Sequence, residues 1–198
     1  MSNFYTSIVL LGDDILYRGY EHGRPVQYRE RSKPTLFLVP AAQSRQSEFK
    51  TLDGRYAHPK RFDGAREARE CIKQYQDAAG MEIHGYERFV YQHIAQKFPG
   101  EVDYDMSKMK IYTIDIEVAC ENGFPDVEAS AEEMLCITIK DFNTKKTITW
   151  GTREFAPKDT EYRVFWTEAE MLTDFHKWWT ENTPDIITGW NNNLYDIP

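Results

Sequence analysis

Between Lys110 and Val118 the chain reads Lys-Ile-Tyr-Thr-Ile-Asp-Ile-Glu-Val, a β-forming run interrupted only by two carboxylates, Asp115 and Glu117. Such density of β-branched and aromatic residues predicts a central strand buried on both faces. Side chains alternate across a strand, so acids two residues apart share a face. Two like charges on a buried face are costly unless something positive sits between them. A divalent cation meets that need, because hard cations take carboxylate oxygens. The competing reading is an edge strand with solvated acids. Ile111, Ile114, Ile116 and Val118, spread over both faces, speak against it.

The residues that follow extend one domain. Met134–Lys140 and Thr147–Trp150 read as antiparallel partners of the first strand around a turn at 141–144. Thr167 caps a predicted helix over 168–181, with Glu170 three residues on and Met171, Leu172, Phe175, Trp178 and Trp179 on its apolar side. Pro184 opens a further buried strand over 185–190. The second part is therefore β-β-β-α-β. After that strand, an Asn-rich turn leads to Asp196, at the edge where α/β sheets place ligands. An Asp there also serves as an ordinary helix N-cap. The stop at Pro198 reads as a cut within a domain.

The first forty residues read as an antiparallel meander: 4–11, 15–17, 26–29 and 35–39, parted by Gly12-Asp13-Asp14 and Glu21-His22-Gly23-Arg24. Short strands are expected near 48–51 and 55–58. A helix is expected over 64–79, stopped by Gly80, and another over 86–97 with Tyr86, Phe89, Val90, His93 and Ile94 on one face. A polar joint at 103–107 separates two domains, 1–107 and 108–198. The fold class is α/β (α+β): a mostly antiparallel β domain with helices, then a mixed sheet.

Several classes are excluded. Cys71, Cys120 and Cys136 are odd in number and lack CxxC spacing, so neither a disulfide framework nor a zinc knuckle is written here. The five histidines form no HxxxH or HExxH pair, which argues against a zinc hydrolase. GxGxxG, GxxxxGK[ST] and GxSxG are missing. The longest apolar run, Ile8–Leu11, is far short of the roughly 20 residues of a bilayer span, and no signal-peptide core precedes it. The expectation is a soluble protein of the cytoplasm with no membrane partner.

Charge is uneven. Residues 1–110 hold 17 Lys and Arg against 15 Asp and Glu, whereas 111–198 hold 7 against 17. A basic block beside an acidic one suits an enzyme that tracks a phosphate backbone and gathers cations at its chemistry, and equally two solvated surfaces. Arg18, Arg24, Arg29, Arg31 and Lys33 alternate with Tyr17, Tyr20, Tyr28 and Phe37. That mixture suits single-stranded nucleic acid, unless the rings face the core.

Asp115-Ile116-Glu117, followed some eighty residues later by Gly189-Trp190-Asn191-x-x-x-Tyr195-Asp196-Ile197-Pro198, resembles the first two exonuclease motifs of family B DNA polymerases. Phe4-Tyr5, Lys33-Pro34-Thr35-Leu36-Phe37, Asp53-Gly54, Gly123-Phe124-Pro125 and Thr183–Trp190 narrow the resemblance to replicative enzymes of T-even-type bacteriophages. The resemblance covers the whole chain. It implies an N-terminal domain and the first part of a ribonuclease-H-like 3′→5′ proofreading exonuclease domain. The implied reaction is hydrolysis of DNA 3′ ends with two Mg²⁺ or Mn²⁺ ions. Asp115, Glu117 and Asp196 are then metal ligands and catalytic residues. Phe124 stacks on the frayed 3′ base, or packs locally; Asn191 contacts the substrate strand, or closes its turn. The third exonuclease motif and the polymerase domains are missing, so metal binding by this piece is expected to be weak or absent, and its activity near background.

The implied partners are the single-stranded 3′ end and template strand of DNA, RNA in some family members, the rest of a polymerase chain, and a sliding clamp through regions not present. The implied place is the host cytoplasm. Two alternatives stay open: a single-stranded nucleic-acid-binding module without catalysis, and one chain of a divided polymerase.

Overall fold

The computed structural model describes residues 3–197 except 44, 77, 86, 121, 122 and 124, together with the backbone but not the side chains of 193 and 194. The chain forms two compact units, Met1–Asp105 and Met106–Pro198. No helix among the described residues is long and apolar enough to cross a membrane.

In the first unit, β1 (Phe4–Leu11), β2 (Asp14–Glu21) and β3 (Arg24–Arg31) form an antiparallel sheet. His22 and Gly23 both have positive φ (53° and 78°), which a two-residue hairpin loop needs to match strand twist. Tyr17 lies directly across from Tyr28, stacked at 4.6 Å, and Phe4 stacks on Tyr20 at 4.9 Å. Tyr17 and Tyr20 are buried. The first of the alternating rings therefore serve the core and offer no platform to a base. Arg29 is paired with Asp14, and Arg31 with Asp13.

A second sheet has the order β5 (Phe49–Lys50), β6 (Tyr56–Arg61), β4 (Thr35–Pro40), β7 (Met81–His84). Strand β7 was not anticipated. The helix expected to reach residue 79 is shorter: α1 spans Ala65–Tyr75. Gly80, at φ 90°, turns the chain into β7 instead of ending the helix. The start of α1 is fixed from far away, since Asp13 Oδ1 accepts the Arg66 N–H at 2.7 Å. That bond, ahead of the charges of Arg31 and Arg66, holds the Asp13 carboxyl below its usual range. Helix α2 covers Phe89–Lys97; Tyr86, expected on its face, lies outside the described residues. Leu36, Phe62, Ala65, Ala68, Cys71 and Phe89 form the core of the unit.

The second unit is a five-stranded mixed sheet of order β11-β10-β9-β8-β12. Strands β8 (Ile111–Val118), β9 (Met134–Asp141) and β10 (Thr147–Gly151) are antiparallel, as expected. Strand β12 (Ile186–Thr188) runs parallel to β8. An unanticipated strand, β11 (Glu161–Val164), runs parallel to β10. Helix α3 (Glu168–Glu181) packs against one face, with Thr167 Oγ1 accepting the Glu170 N–H at 3.3 Å. Tyr112, Ile114, Ile137, Ile139, Trp150 and Met171 form this core. Trp150 is fully buried, and its Nε1–H donates to Asp174 Oδ2 at 2.8 Å.

Two expectations about burial need correction. Strand β8 is interior to the sheet, but the face away from α3, covered at Ile111, opens along the strand's second half. Asp115 and Glu117 stand exposed there. The cross-strand partners Ile114–Ile139 and Ile116–Ile137 lie on the α3 side, whereas Asp115–Thr138 and Glu117–Cys136 lie on the open side. Likewise β12 is an exposed edge strand and not a buried one, with Ile186 and Ile187 each more than a third exposed.

Candidate functional site

The open face of β8 leads into a cleft of about 400 Å³. Asp115 and Glu117 line it from the strand; Trp190, Asn191, Tyr195 and Asp196 line it from the segment after β12. Four of the five expected site residues thus meet in one place. The fifth, Phe124, lies outside the described residues, although its neighbours Gly123 and Pro125 also line the cleft.

The meeting follows from register. Asp185 starts β12 by a reciprocal grip on Lys110: its N–H donates to Lys110 O at 2.8 Å, and its Oδ2 accepts the Lys110 N–H at 2.9 Å. Ile186 then pairs with Ile111 and Thr188 with Thr113. The chain leaves the sheet just short of Asp115 and turns over the cleft. Gly189 permits that turn. A Cβ there would lie 2.7 Å from Ile114 O and would also meet Asn192 Oδ1. Beyond it, Asn192–Asp196 form a single π-helical turn, with Tyr195 N donating to Asn191 O at 2.9 Å and Ile197 N to Asn192 O at 3.1 Å. Such turns often occur where a side chain must be aimed at a site. Asn191 therefore does close the turn, through its backbone carbonyl, while its side chain shares the cleft.

Sequence reasoning gave Gly189 no role beyond its place in the motif and passed over Asn192. A glycine immediately after a strand was the available signal, since it marks a close backbone approach. Asn192 Oδ1 is buried with no hydrogen-bond partner among the described residues. Trp190 is fully exposed at the rim.

The cleft is electronegative. The Tyr195 phenol is pushed up by burial and then by the charges of Glu117 and Asp196. The Cys136 thiol is pushed up by burial and then by Glu117 and Asp115. Among the described residues no Lys or Arg lines the cleft. Lys140 lies opposite Thr113, on the same face as the two acids. The donor chemistry, three carboxylates with hard oxygens, suits Mg²⁺ or Mn²⁺. Yet among the described residues no three His, Cys, Asp or Glu side chains converge closely enough to hold a metal ion. The acids border a common space without closing on one point.

The arrangement is a mixed sheet with paired acids on an inner strand and a third acid after the adjacent parallel strand. The chain belongs to the exonuclease-domain family of family B DNA polymerases, whose model matches residues 86–198. It is similar over its whole length to the DNA-directed DNA polymerases of Escherichia phage RB69 and Enterobacteria phage T4, at 27% identity to each. The chain spans a quarter (25%) of the length of those two polymerases. The family match begins inside the first compact unit, at the approach to α2.

Proposed function

We propose that the cleft on β8 is the 3′→5′ exonuclease site of a family B DNA polymerase, acting on the terminal phosphodiester of a single DNA strand. The observation that carries this reading is the meeting of Asp115, Glu117, Asp196 and Asn191 in one cleft. Asp115 and Glu117 would hold divalent cations from the strand, and Asp196 from the π-turn. Bound ions would supply an activated water and charge stabilisation at the leaving 3′ oxygen.

The protein's own groups divide the remaining work. The carboxylates exclude other anions until cations are present. The Asn191 amide and the Trp190 ring stand where a strand would enter. An unstacked base on an aromatic ring gains about 1–3 kcal/mol, which favours a frayed end over a paired one. Because the acids are not drawn together, cation affinity of this chain is weak, and its hydrolysis of single strands is near background. A DNA strand with a free 3′ end, its template and the remainder of a polymerase are the partners this reading requires, and the host cytoplasm is the place.

The test is Mn²⁺ binding by the chain, followed by electron paramagnetic resonance, together with degradation of end-labelled single strands by a polymerase that contains it. Asp115→Asn should weaken Mn²⁺ binding by at least about tenfold and bring degradation to background. Unchanged degradation in that variant would remove the assignment.

A further inference from the structure

The first unit holds a second charged cavity, of about 510 Å³, bordered by the end of β3, the end of β6 and the last turns of α2. Its wall is basic. Arg31, Lys33, Arg61 and Lys97 line it with His93, against a single carboxylate, Glu30. The formal charge of the whole chain is −8, so this is a local reversal of sign. Nothing in the exonuclease reading uses it.

The four cations differ in how they are held. Arg31 Nε donates to Asp63 O at 2.8 Å, and its guanidinium lies 3.4 Å from Asp13. Lys97 Nζ is 3.1 Å from Glu21 and sits over the rings of Tyr17 and Tyr28, at 4.7 and 5.0 Å. These two are braced. Lys33 and Arg61 are exposed and form no ion pair among the described residues. Glu30 is turned to His93, with Oε1 3.2 Å from Nε2. The wall itself is tied together, because Gln92 on α2 accepts the Thr35 N–H of β4 at 2.9 Å. Two braced and two uncommitted cations around one hollow repel each other, and a multivalent anion relieves that repulsion.

We propose that this cavity binds a phosphate monoester or polyphosphate group, with Arg31 and Lys97 as fixed contacts and Lys33 and Arg61 closing on it. A diester inside a strand carries one charge, and chain leaves it on two sides, so it suits an open ridge. A monoester carries about −1.5 to −2 at pH 7 and is a compact head that enters a hollow. Arginine meets it with a planar fork, lysine with a point charge. The group has two possible sources: the 5′-phosphorylated end of a nucleic-acid strand, or a free polyphosphate such as that of a nucleoside triphosphate. The inference is independent of the exonuclease reading.

The chain should be titrated calorimetrically with tripolyphosphate, with a 5′-phosphorylated single-stranded decamer, and with the same decamer ending in a 5′-hydroxyl. The variants are Lys33→Ala/Arg61→Ala and a charge-matched control, Arg24→Ala/Lys158→Ala, outside the cavity. All four positions are exposed, and melting curves verify that both variants fold. Binding of tripolyphosphate, of the phosphorylated decamer, or of both is expected, and names the source. The cavity variant should lose about tenfold or more in affinity, the scale of two charge-assisted contacts, with the control within about twofold. Three results would overturn the proposal: no binding of either phosphate probe, equal loss in the control, or a hydroxyl-ended strand bound as tightly as the phosphorylated one with the same dependence on Lys33 and Arg61.

Discussion

Two groups of carboxylates in this chain are treated in opposite ways. In the first unit, Asp53 and Glu82 are both answered by Arg55, at 2.7 and 2.6 Å, and Glu82 has a second partner in His84 at 3.2 Å. In the second unit, Asp115, Glu117 and Asp196 line one cleft with no Lys or Arg in its wall among the described residues. Internal partners make the first group a structural clasp. The second leaves a negative potential that only something from outside can satisfy. What separates the groups is the supply of counter-charge, and each prediction below removes one side of that contrast.

The largest effect is expected at the unanswered acids. Asp115→Asn keeps size and polarity but removes one of the charges that face an incoming cation. Mn²⁺ affinity should fall by at least about tenfold, or ~1.4 kcal/mol. Strand degradation by a polymerase containing the chain should fall to background. Thermal stability should hold or rise slightly, because like-charge repulsion with Glu117 is relieved. A variant that binds Mn²⁺ as well as the parent would show that the cleft's potential has another source.

The next effect is on the placement of the third acid. Gly189→Ala puts a methyl 2.7 Å from the Ile114 carbonyl, which belongs to an interior strand and cannot move away freely. The cost should be about 1–3 kcal/mol. The segment from Asn191 to Asp196 should shift, so ion affinity falls along with stability. Chemical denaturation and Mn²⁺ titration on the same protein check this, and loss of stability alone would mean that Asp196 is not positioned by this turn.

How much of this was legible in sequence differs between the regions for a physical reason. Strands β8, β9 and β10 and helix α3 announce themselves by periodicity, and the Thr167 cap by its spacing. Strands β7 and β11 do not. Met-Glu-Ile-His and Glu-Tyr-Arg-Val are four-residue segments rich in charge, and they become strands because β4 and β10 offer them an edge. The apolar run at β8 indicated an interior strand, but periodicity cannot say whether a second layer covers it. The inference that Asp115 and Glu117 are buried failed there. Asp196 had no periodic signal but stood out by its place after the last strand, and Asn191 was picked out only by motif resemblance, whereas Gly189 was visible as a glycine but its contact with Ile114 was not.

A smaller effect is expected at the helix that backs the site. Thr167→Ala removes the acceptor for the Glu170 N–H and should cost about 1 kcal/mol. Since α3 covers the face of the sheet opposite the acids, ion affinity should stay unchanged. A parallel loss of Mn²⁺ binding would mean that the covered face transmits strain to the open one.

The smallest effect belongs to the answered acids, and pH reveals it. Arg55, and after it His84, hold the Glu82 carboxyl at about 2, against an ordinary value of 4.5. A carboxyl depressed in the folded state stabilises fully above its unfolded value and loses that contribution as pH falls through the folded value. The Arg55 contribution should therefore be complete at neutral pH, begin to decline below about pH 5, and fade progressively toward pH 2. Both groups are solvent-accessible, so water and salt screen the pair and the effect is modest. Melting temperatures of the parent and of Glu82→Gln, measured from pH 7 to 2, should differ by a small amount that is constant above about pH 5 and narrows progressively, closing near pH 2. Added salt should narrow the gap throughout. A gap that closes already near pH 4.5 would mean that Arg55 does not hold Glu82 in solution, and the contrast with the cleft would then rest on the unanswered acids alone.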